Sequence, residues 1–357
     1  MNEHRALYVG IGKYAHPDHE PLPGAVNDAR SLQATLARRD ADGPDPLWGR
    51  GTLLVGEPLD DGMVSQVRLK TEFDTLVSHA AGDDLLFYFA GHGVEAEGDL
   101  ILATSDDTPY DVRRGLWLHY LVDEINNSGC HSAVIILDCC GAGHVAGANV
   151  GENVVILAGA QQDQTAGENG GRGVFTQFLL DGLNSRAADL RGNITAIGLY
   201  NYIAGAMSIS KDQQTPVLKA RLTAPVIIRQ VKATLGYKDL ADLKIFSTQD
   251  FKYPLDPDFE ETKEATRQWI GKVQQDWEDG KDTYRSRNPK LTDFSDKQGL
   301  MEYFKLLRNA GLIKIIDDPK KNPNLDLYWA CIDKGAVELT PLGQYYWQLA
   351  VEDRLSR

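Results

Sequence analysis

The sequence predicts an α/β fold, with a mainly parallel sheet covered by helices on both faces and a small C-terminal α+β domain after it. Three observations support this fold class. Short apolar runs without polar alternation, such as residues 84–90 and 132–137, are typical of strands buried on both faces. These runs alternate with segments whose apolar residues recur at helical spacing, as in parallel sheets with crossover helices. The alternation stops near residue 229, where a stretch of mixed character begins.

The first domain is predicted to alternate strands and helices along its whole length. A polar, glycine-rich segment at 161–173 interrupts the order and predicts a surface loop. In chain order, the other patterns predict strands at 5–11, 51–55, 84–90, 99–103, 132–137, 154–159 and about 225–229, and helices at 27–39, 63–79, 115–126, about 174–184 and about 194–207.

The domain boundaries follow from a change in composition. Residues 230–258 are mixed and end in a stretch with two prolines, which is typical of a linker. We therefore expect a first domain at 1–235, a linker at 236–258 and a second domain at 259–357.

The second domain is predicted to resemble a winged helix. Its patterns predict helices at 260–278 (with Trp269, Ile270, Val273 and Trp277 on one face) and 295–309, strands at 312–316 and 328–332 around a turn at 319–324, and a last helix beginning at Thr340-Pro341. Because no basic face is visible, a protein-interaction or oligomerisation module is favoured over DNA binding.

Composition and charge narrow the function classes. The 357 residues suffice for two domains, and the net charge of −14 argues against nucleic acid as the main partner. The sequence shows neither an apolar N-terminal segment before a cleavage site nor a run of about 18 apolar residues. Four cysteines, two of them adjacent, do not make a disulfide framework. We therefore expect a cytoplasmic protein with reduced thiols that neither is secreted nor spans a membrane.

Two predicted strands end in residues suited to nucleophilic chemistry. The strand at 132–137 is followed by Asp138, Cys139 and Cys140, and the strand at 84–90 is followed by His92 between two glycines. In open parallel sheets, active sites lie beyond the carboxyl ends of the strands. A thiol and an imidazole at two such ends make a candidate Cys–His pair. The alternatives are cysteines that serve as small buried hydrophobes and a structural histidine.

The motifs around these residues resemble the caspase-like cysteine peptidases. Ala-Gly-His-Gly at 90–93 and Asp-Cys-Cys-Gly-Ala-Gly at 138–143 are similar to the metacaspase and bacterial caspase-like branch, in which the second block usually reads Asp-x-Cys-His-Ser-Gly. The segment 24–29 resembles the early Asn-Asp-Ala block of that branch, and 173–180 resembles the stretch after its processing loop. The resemblance covers about residues 5–228 and implies a caspase-like fold.

The resemblance also implies a mechanism. Cys140 would attack a peptide carbonyl as a thiolate, and His92 would help to activate it and supply a proton to the leaving amine. The backbone N–H groups of Gly93 and Cys140 would stabilise the oxyanion. The Asp-x-Cys spacing of the family favours Cys140 as nucleophile over Cys139. No metal-ligand spacing and no calcium-binding loop is readable, so we expect no cofactor.

Substrate choice is inferred from the positions that match the family's specificity pocket. Asp28 and Asp138 stand there, and two carboxylates in a pocket would attract Arg or Lys. The alternatives are that Asp28 caps the helix beginning nearby and that Asp138 caps the turn after its strand. The sequence thus predicts an endopeptidase that cleaves protein substrates after Arg or Lys.

The family also implies control by processing. Arg172 is the only basic residue of the 161–173 loop, at the place where family members are often cut. We expect a latent enzyme switched on by cleavage after Arg172 or by an activating protease or effector protein bound to the C-terminal domain, in a prokaryotic defence or stress setting. Two other functions stay open: a catalytically silent caspase-like scaffold that binds partners, and a DNA-bound regulator, which would show salt-sensitive DNA binding.

Overall fold

In a computed structural model, the chain forms two compact units, Met1–Ala233 and Thr234–Arg357. The structure describes residues 3–15, 19–39, 43–49, 51–56, 63–107, 114–159, 173–209, 216–255, 259, 297–317 and 325–355.

A six-stranded sheet organises the first unit. Its strand order is β10-β8-β7-β3-β1-β2, and all neighbouring pairs are parallel except the antiparallel edge pair of β10 with β8. The strands are β1 (His4–Ile11), β2 (Thr52–Gly56), β3 (Asp84–Ala90), β7 (Ser132–Asp138), β8 (Val154–Ala158) and β10 (Val217–Arg221). The predicted mainly parallel sheet is confirmed. The edge strand β10 was missed, because its Val-Leu-Lys-Ala-Arg sequence is only half-buried.

Helices cover both faces of this sheet, as predicted. Along β1, Leu7 and Val9 belong to the core on one face and Ala6 and Tyr8 to the core on the other, so the strand is buried on both sides. On the first face lie α2 (Gln66–Val77) and α3 (Leu118–Asn127), and on the second lie α1 (Pro23–Leu36), α4 (Val174–Asp181) and α5 (Ala196–Ile209). Helix α1 begins four residues before its predicted start because Pro23 occupies its first turn.

Two small antiparallel sheets flank the main sheet. One, in the order β4-β5-β6, joins β4 (Gly93–Ala96), β5 (Asp99–Leu102) and β6 (Leu116–Trp117). The other pairs β9 (Asn193–Thr195) with β11 (Ile227–Gln230). Of these strands, the sequence predicted β5 and β11. Strand β4 starts directly after His92, so the β4–β5 hairpin borders the ends of β3 and β7.

The second unit is a small α+β arrangement. Its sheet has the order β12-β14-β13 and is antiparallel. Its elements are α6 (Tyr237–Ala241), β12 (Tyr253–Pro254), α7 (Lys297–Asn309), β13 (Ile313–Ile316), α8 (Leu327–Ile332), β14 (Ala336–Leu339) and α9 (Pro341–Val351). The predicted start of the last helix is as observed, since the Thr340 hydroxyl accepts a hydrogen bond from the Gly343 N–H.

Two expectations for this unit differ from the structure. Residues 328–332, predicted as a strand, lie in helix α8, because Asp326 caps the segment and Leu327, Ala330 and Cys331 are buried at helical spacing. The partner of β13 is β14 instead.

The expected linker 236–258 contains α6 and β12, and β12 pairs with β14. The predicted helix at 260–278 and the turn at 319–324 lie outside the described residues.

The helices in the described part of the chain include none that is long and apolar enough to cross a bilayer.

Candidate active site

The register of β3 and β7 brings the candidate dyad to one edge of the sheet. Ala90 pairs with Asp138 at the ends of these parallel neighbours, and the Gly91 N–H donates to the Asp138 carbonyl over 3.3 Å. His92 and Cys140 each stand two residues beyond that pair. Two residues that are 48 positions apart in the chain therefore occupy equivalent positions on adjacent strand ends.

Glycines allow the two backbones to approach closely after the strands end. A Cβ at Gly93 would overlap the Cys140 carbonyl oxygen and would lie 3.2 Å from the Cys139 Sγ. After Cys140, Gly141 adopts a left-handed conformation with φ of 76°, which a glycine tolerates without strain. A short 3-10 helix, Ala142–Gly147, follows. The chain thus turns sharply after Cys140 and leaves no room for a side chain at Gly93.

His92 is held by two contacts from the β1–α1 connection. Its backbone N–H donates to the Tyr14 hydroxyl oxygen over 2.8 Å, and its ring Nε2 lies 2.9 Å from the Glu20 carbonyl oxygen. Because a carbonyl only accepts, the proton of neutral His92 sits on Nε2, and Nδ1 is left as the acceptor. Burial lowers the pKa of His92, although the bond to Glu20 opposes the shift. The imidazole is therefore a neutral proton acceptor near neutral pH.

The two adjacent thiols differ in their surroundings. Cys139 is 1% exposed and belongs to the apolar core beneath the sheet, and burial raises its pKa well above the usual range. Cys140 is half-buried. A thiolate forms poorly in an apolar core, so Cys139 has the properties of a structural thiol and Cys140 has the accessibility of a nucleophile.

The two predicted specificity residues converge on the first turn of α4. The Gly173 N–H donates to Asp28 Oδ2 over 2.8 Å, and a Cβ at Gly173 would overlap Asp138 Oδ2. The Thr176 hydroxyl donates to Asp138 Oδ2 over 2.6 Å and lies 2.7 Å from the Tyr88 hydroxyl. Asp28 is 1% and Asp138 8% exposed. The structure therefore contains a buried acidic pair at the helix N-terminus, where the helix dipole favours negative charge.

A comparison with models of known protein families identifies the family of the first unit. The family model described as "Caspase domain" matches residues 3–227, more than half of the chain. The chain belongs to the caspase family of cysteine peptidases. This match confirms the resemblance and the caspase-like fold class.

Solved caspase structures are among those similar to this caspase-family chain. Protein GSU0716 from Geobacter sulfurreducens is 16% identical and covers 62% of this chain and 94% of its own, with a TM-score of 0.44. Caspase-1 from Spodoptera frugiperda is 14% identical and covers 65% of this chain and 91% of its own, with a TM-score of 0.45. No curated protein matches the chain.

The structure bears on one of the alternative roles of the acidic residues in this caspase domain. Asp28 does not cap the helix near it, because α1 begins at Pro23 and Asp28 lies inside the helix. The Asp138 side chain reaches α4 through Thr176. Both carboxylates support the start of α4. Arg172, the predicted processing site, lies outside the described residues.

Several residues around the caspase site were not singled out from the sequence. Tyr14 and Glu20 hold His92, His19 lies against its ring, and Thr176 binds Asp138. Thr176 lies in α4, within the 173–180 stretch. Tyr14, His19 and Glu20 belong to no motif with fixed spacing, and their contacts depend on the path of the β1–α1 loop. Only the glycine and proline content of residues 10–24 marked that loop in advance.

Proposed function

We propose that this caspase-family protein is an endopeptidase that cleaves protein substrates after Arg or Lys through a His92–Cys140 dyad, without a cofactor. The observation that carries the proposal is the register of β3 and β7, with both residues two positions beyond the Ala90–Asp138 pair. Chemistry at the carboxyl ends of parallel strands is the rule in such sheets.

The tautomer of His92 supports a definite order of proton transfers. Nδ1 accepts the thiol proton of Cys140, and the thiolate attacks the carbonyl carbon of the scissile bond. The same proton passes from Nδ1 to the leaving amine as the C–N bond breaks, which leaves a thioester on Cys140. Water then gives one proton to Nδ1 while its oxygen adds to the thioester carbonyl. The C–S bond breaks as the carboxylic acid product forms, and the proton on Nδ1 passes to the sulfur, which restores the thiol. Throughout, Nε2 keeps its proton on the Glu20 carbonyl.

We assign the oxyanion donors to the backbone N–H groups of Gly93 and Cys140. The support is the tight approach of the two backbones, since Gly93 lies directly against the Cys140 carbonyl. Backbone donors fixed by strand packing need no reorganisation when charge develops on the substrate oxygen.

The acidic pair supports a preference for a basic side chain. Two buried carboxylates, Asp28 and Asp138, lie beside the same glycine. Burying like charges together is costly unless cations or donors compensate them, and here one amide, one hydroxyl and a helix dipole do so. A substrate guanidinium would add a full positive charge and bidentate hydrogen bonds.

Latency by processing at Arg172 has support from Gly173, the residue that follows the predicted cut. Its amide nitrogen lies 2.8 Å from Asp28 Oδ2. Cleavage after Arg172 would turn this amide into an ammonium group beside the same carboxylate. The new positive charge would lie beside the acidic pair at the start of α4, where it would change how the two carboxylates meet a substrate cation.

The second candidate function is a silent scaffold. It is favoured by large exposed hydrophobic residues on the second unit, which suit binding to a protein partner. They include Tyr328, Trp329, Ile332, Leu342 and Tyr345.

One experiment separates the two functions. A thiol-reactive peptide probe with Arg at its reactive end should label Cys140 of the purified protein and not label Cys140→Ala, with a matched Asp probe as control. A scaffold would take up neither probe. Preferential labelling by the Asp probe would overturn the Arg/Lys specificity.

A further inference from the structure

A histidine–carboxylate pair lies beside His92. The Nε2 of His19 is 3.8 Å from Oδ2 of Asp107, and their side chains are 14% and 5% exposed. The His19 ring lies 5.2 Å from the His92 ring and 5.2 Å from the Tyr14 ring, measured between centroids. Because the Tyr14 and His92 rings are 4.7 Å apart, the three rings form one cluster with Asp107 at its edge.

His19 is adjacent in the chain to Glu20, the residue whose carbonyl oxygen contacts the His92 ring. Asp107 belongs to a turn after β5 that is closed by a hydrogen bond from its own N–H to the Thr104 carbonyl. The anchor of His19 on Asp107 thus ties the loop carrying Glu20 to a buried turn of the neighbouring hairpin.

We propose that His19 and Asp107 are a positioning pair for His92: Asp107 holds His19, and His19 holds the His92 ring and the carbonyl that fixes its tautomer. The inference rests on the proposed role of His92 as the base of the dyad. Neither residue touches the substrate; both act through His92.

The charges of the cluster act on the pKa of His92 in both directions. The carboxylate of Asp107 favours a protonated His19, and a positive ring beside His92 disfavours a second proton there. Burial is the largest influence and lowers the pKa of His92, while the hydrogen bond to the Glu20 carbonyl raises it. The charge on His19 lowers this pKa further, and the negative charges of the Glu20 and Asp107 side chains raise it. The groups around His92 are Tyr14, His19 and Glu20 from the β1–α1 loop and Asp107 from the turn after β5. Cys139, after β7, raises the pKa of Tyr14. A charged His19 thus helps to keep His92 neutral and ready to accept a proton.

The test is an NMR titration that does not need peptidase activity. The full-length Cys140→Ala protein is labelled with ¹⁵N-histidine, and the tautomer and pKa of His92 are read from its ring nitrogens. We expect the Nε2–H tautomer. His19→Gln should raise the pKa of His92 by about half a unit to one unit, less than the one to three units of a direct charge partner, and should mix the tautomers. Asp107→Asn should lower the pKa of His19, because it removes the carboxylate that favours the charged ring.

A matched control is available on the same domain. His119 Nδ1 lies 2.6 Å from Asp99 Oδ2, so His119→Gln removes a histidine–aspartate pair of the same kind that is not in the ring cluster. This variant should leave the titration of His92 unchanged. With Cys140 restored, only the His19→Gln variant should move the acid limb of kcat/KM to higher pH.

The outcomes of the titration separate the inference from the proposed function. If His92 titrates with the same pKa and tautomer in His19→Gln as in its parent, the inference is overturned. It is also overturned if His119→Gln shifts the pKa of His92 by the same amount. If His19→Gln shifts His92 as expected but the wild-type protein cleaves no Arg or Lys peptide, the positioning pair stands and the peptidase proposal fails. If His19→Gln does not fold, the pKa and tautomer of His92 in Asp107→Asn decide: a changed His92 supports the inference and an unchanged His92 overturns it.

Discussion

At the scale of single residues, the burial and hydrogen bonds of Cys139, Cys140 and His92 support a different role for each of them. Cys139 and Cys140 are neighbours in the chain, yet one lies in the core and the other is half-buried at a turn. His92 has one ring nitrogen occupied by a carbonyl, so only the other is available for proton transfer. Local geometry thus supports the proposed roles of Cys139 as a structural thiol, Cys140 as the nucleophile and His92 as the base.

The first prediction tests this division of roles. Cys140→Ala and His92→Ala should each lower the hydrolysis of an Arg-containing peptide by about 1,000-fold or more, since each removes a group that acts in the chemical step. Cys139→Ala should keep most of the activity, because its thiol is buried away from substrate. Circular dichroism serves as the control for folding. Full activity in Cys140→Ala would mean that another thiol is the nucleophile.

The second prediction concerns pH. Because burial lowers the pKa of His92, the imidazole stays neutral in mildly acidic solution and loses its base function only at lower pH. The acid limb of the kcat/KM profile should therefore fall below the ordinary imidazole value of about 6.5. An acid limb above that value would contradict the role assigned to His92.

The third prediction concerns the acidic pair. Asp28→Asn or Asp138→Asn should lower kcat/KM for Arg peptides by about 30-fold to several thousand-fold, since losing one partner of a buried charge pair costs about 2–5 kcal/mol. Asp123→Asn, on α3, is the control and should change little. Equal losses for Arg and uncharged peptides would assign the two carboxylates to supporting α4 alone.

At the scale of elements, the site depends on where strands end and on how closely they can approach. β3 and β7 stop in register, and β4 then returns along the edge of the site. Gly93, the first residue of β4, lies against the backbone of Cys140. Any shift of the β4 backbone at Gly93 would therefore displace the backbone of Cys140, because no flexible side chain lies between the two backbones to absorb the movement.

The fourth prediction follows from this contact. Gly93→Ala should lower kcat by about 100-fold, since an added Cβ would push the Cys140 backbone out of position, and a misplacement of about 1 Å has effects of that size. The matched control is Gly205→Ala in α5, where an added Cβ meets nothing within 4 Å. That variant should keep its activity and its thermal stability. Wild-type activity in Gly93→Ala would show that the two backbones separate easily.

At the scale of the whole molecule, two units share one chain, and only the first matches the caspase model. The winged-helix-like character of the second unit stays a prediction, as do its partner and the cytoplasmic location. A peptidase of broad Arg/Lys specificity would damage its own cell, so control belongs to this scale.

The fifth prediction tests that control. Active protein incubated alone should be cut after Arg172, giving two fragments by mass spectrometry, and Cys140→Ala should stay intact unless an upstream protease is added. Arg172→Ala should remain latent under both conditions. An uncut chain with full activity, or normal activation of Arg172→Ala, would exclude this mode of control.

The sequence by itself determined the parallel strands of the central sheet and the residues at their ends. Apolar runs such as 84–90 and 132–137 are buried along nearly their whole length. Their strand character can be read from the run itself, without knowing which strands lie beside it. The same runs placed His92 and Cys140 at strand ends, and parallel topology made those ends meet.

Only the tertiary structure decided the contacts made by loops and the type of short apolar segments. Residues 328–332 suit a strand or a helix, and burial of Leu327, Ala330 and Cys331 on one side selects the helix. The convergence of Asp28 and Asp138 on Gly173, and of Glu20 on His92, joins segments 35 to 145 positions apart. Such contacts depend on the packing of whole elements against each other, which no local pattern of residues encodes.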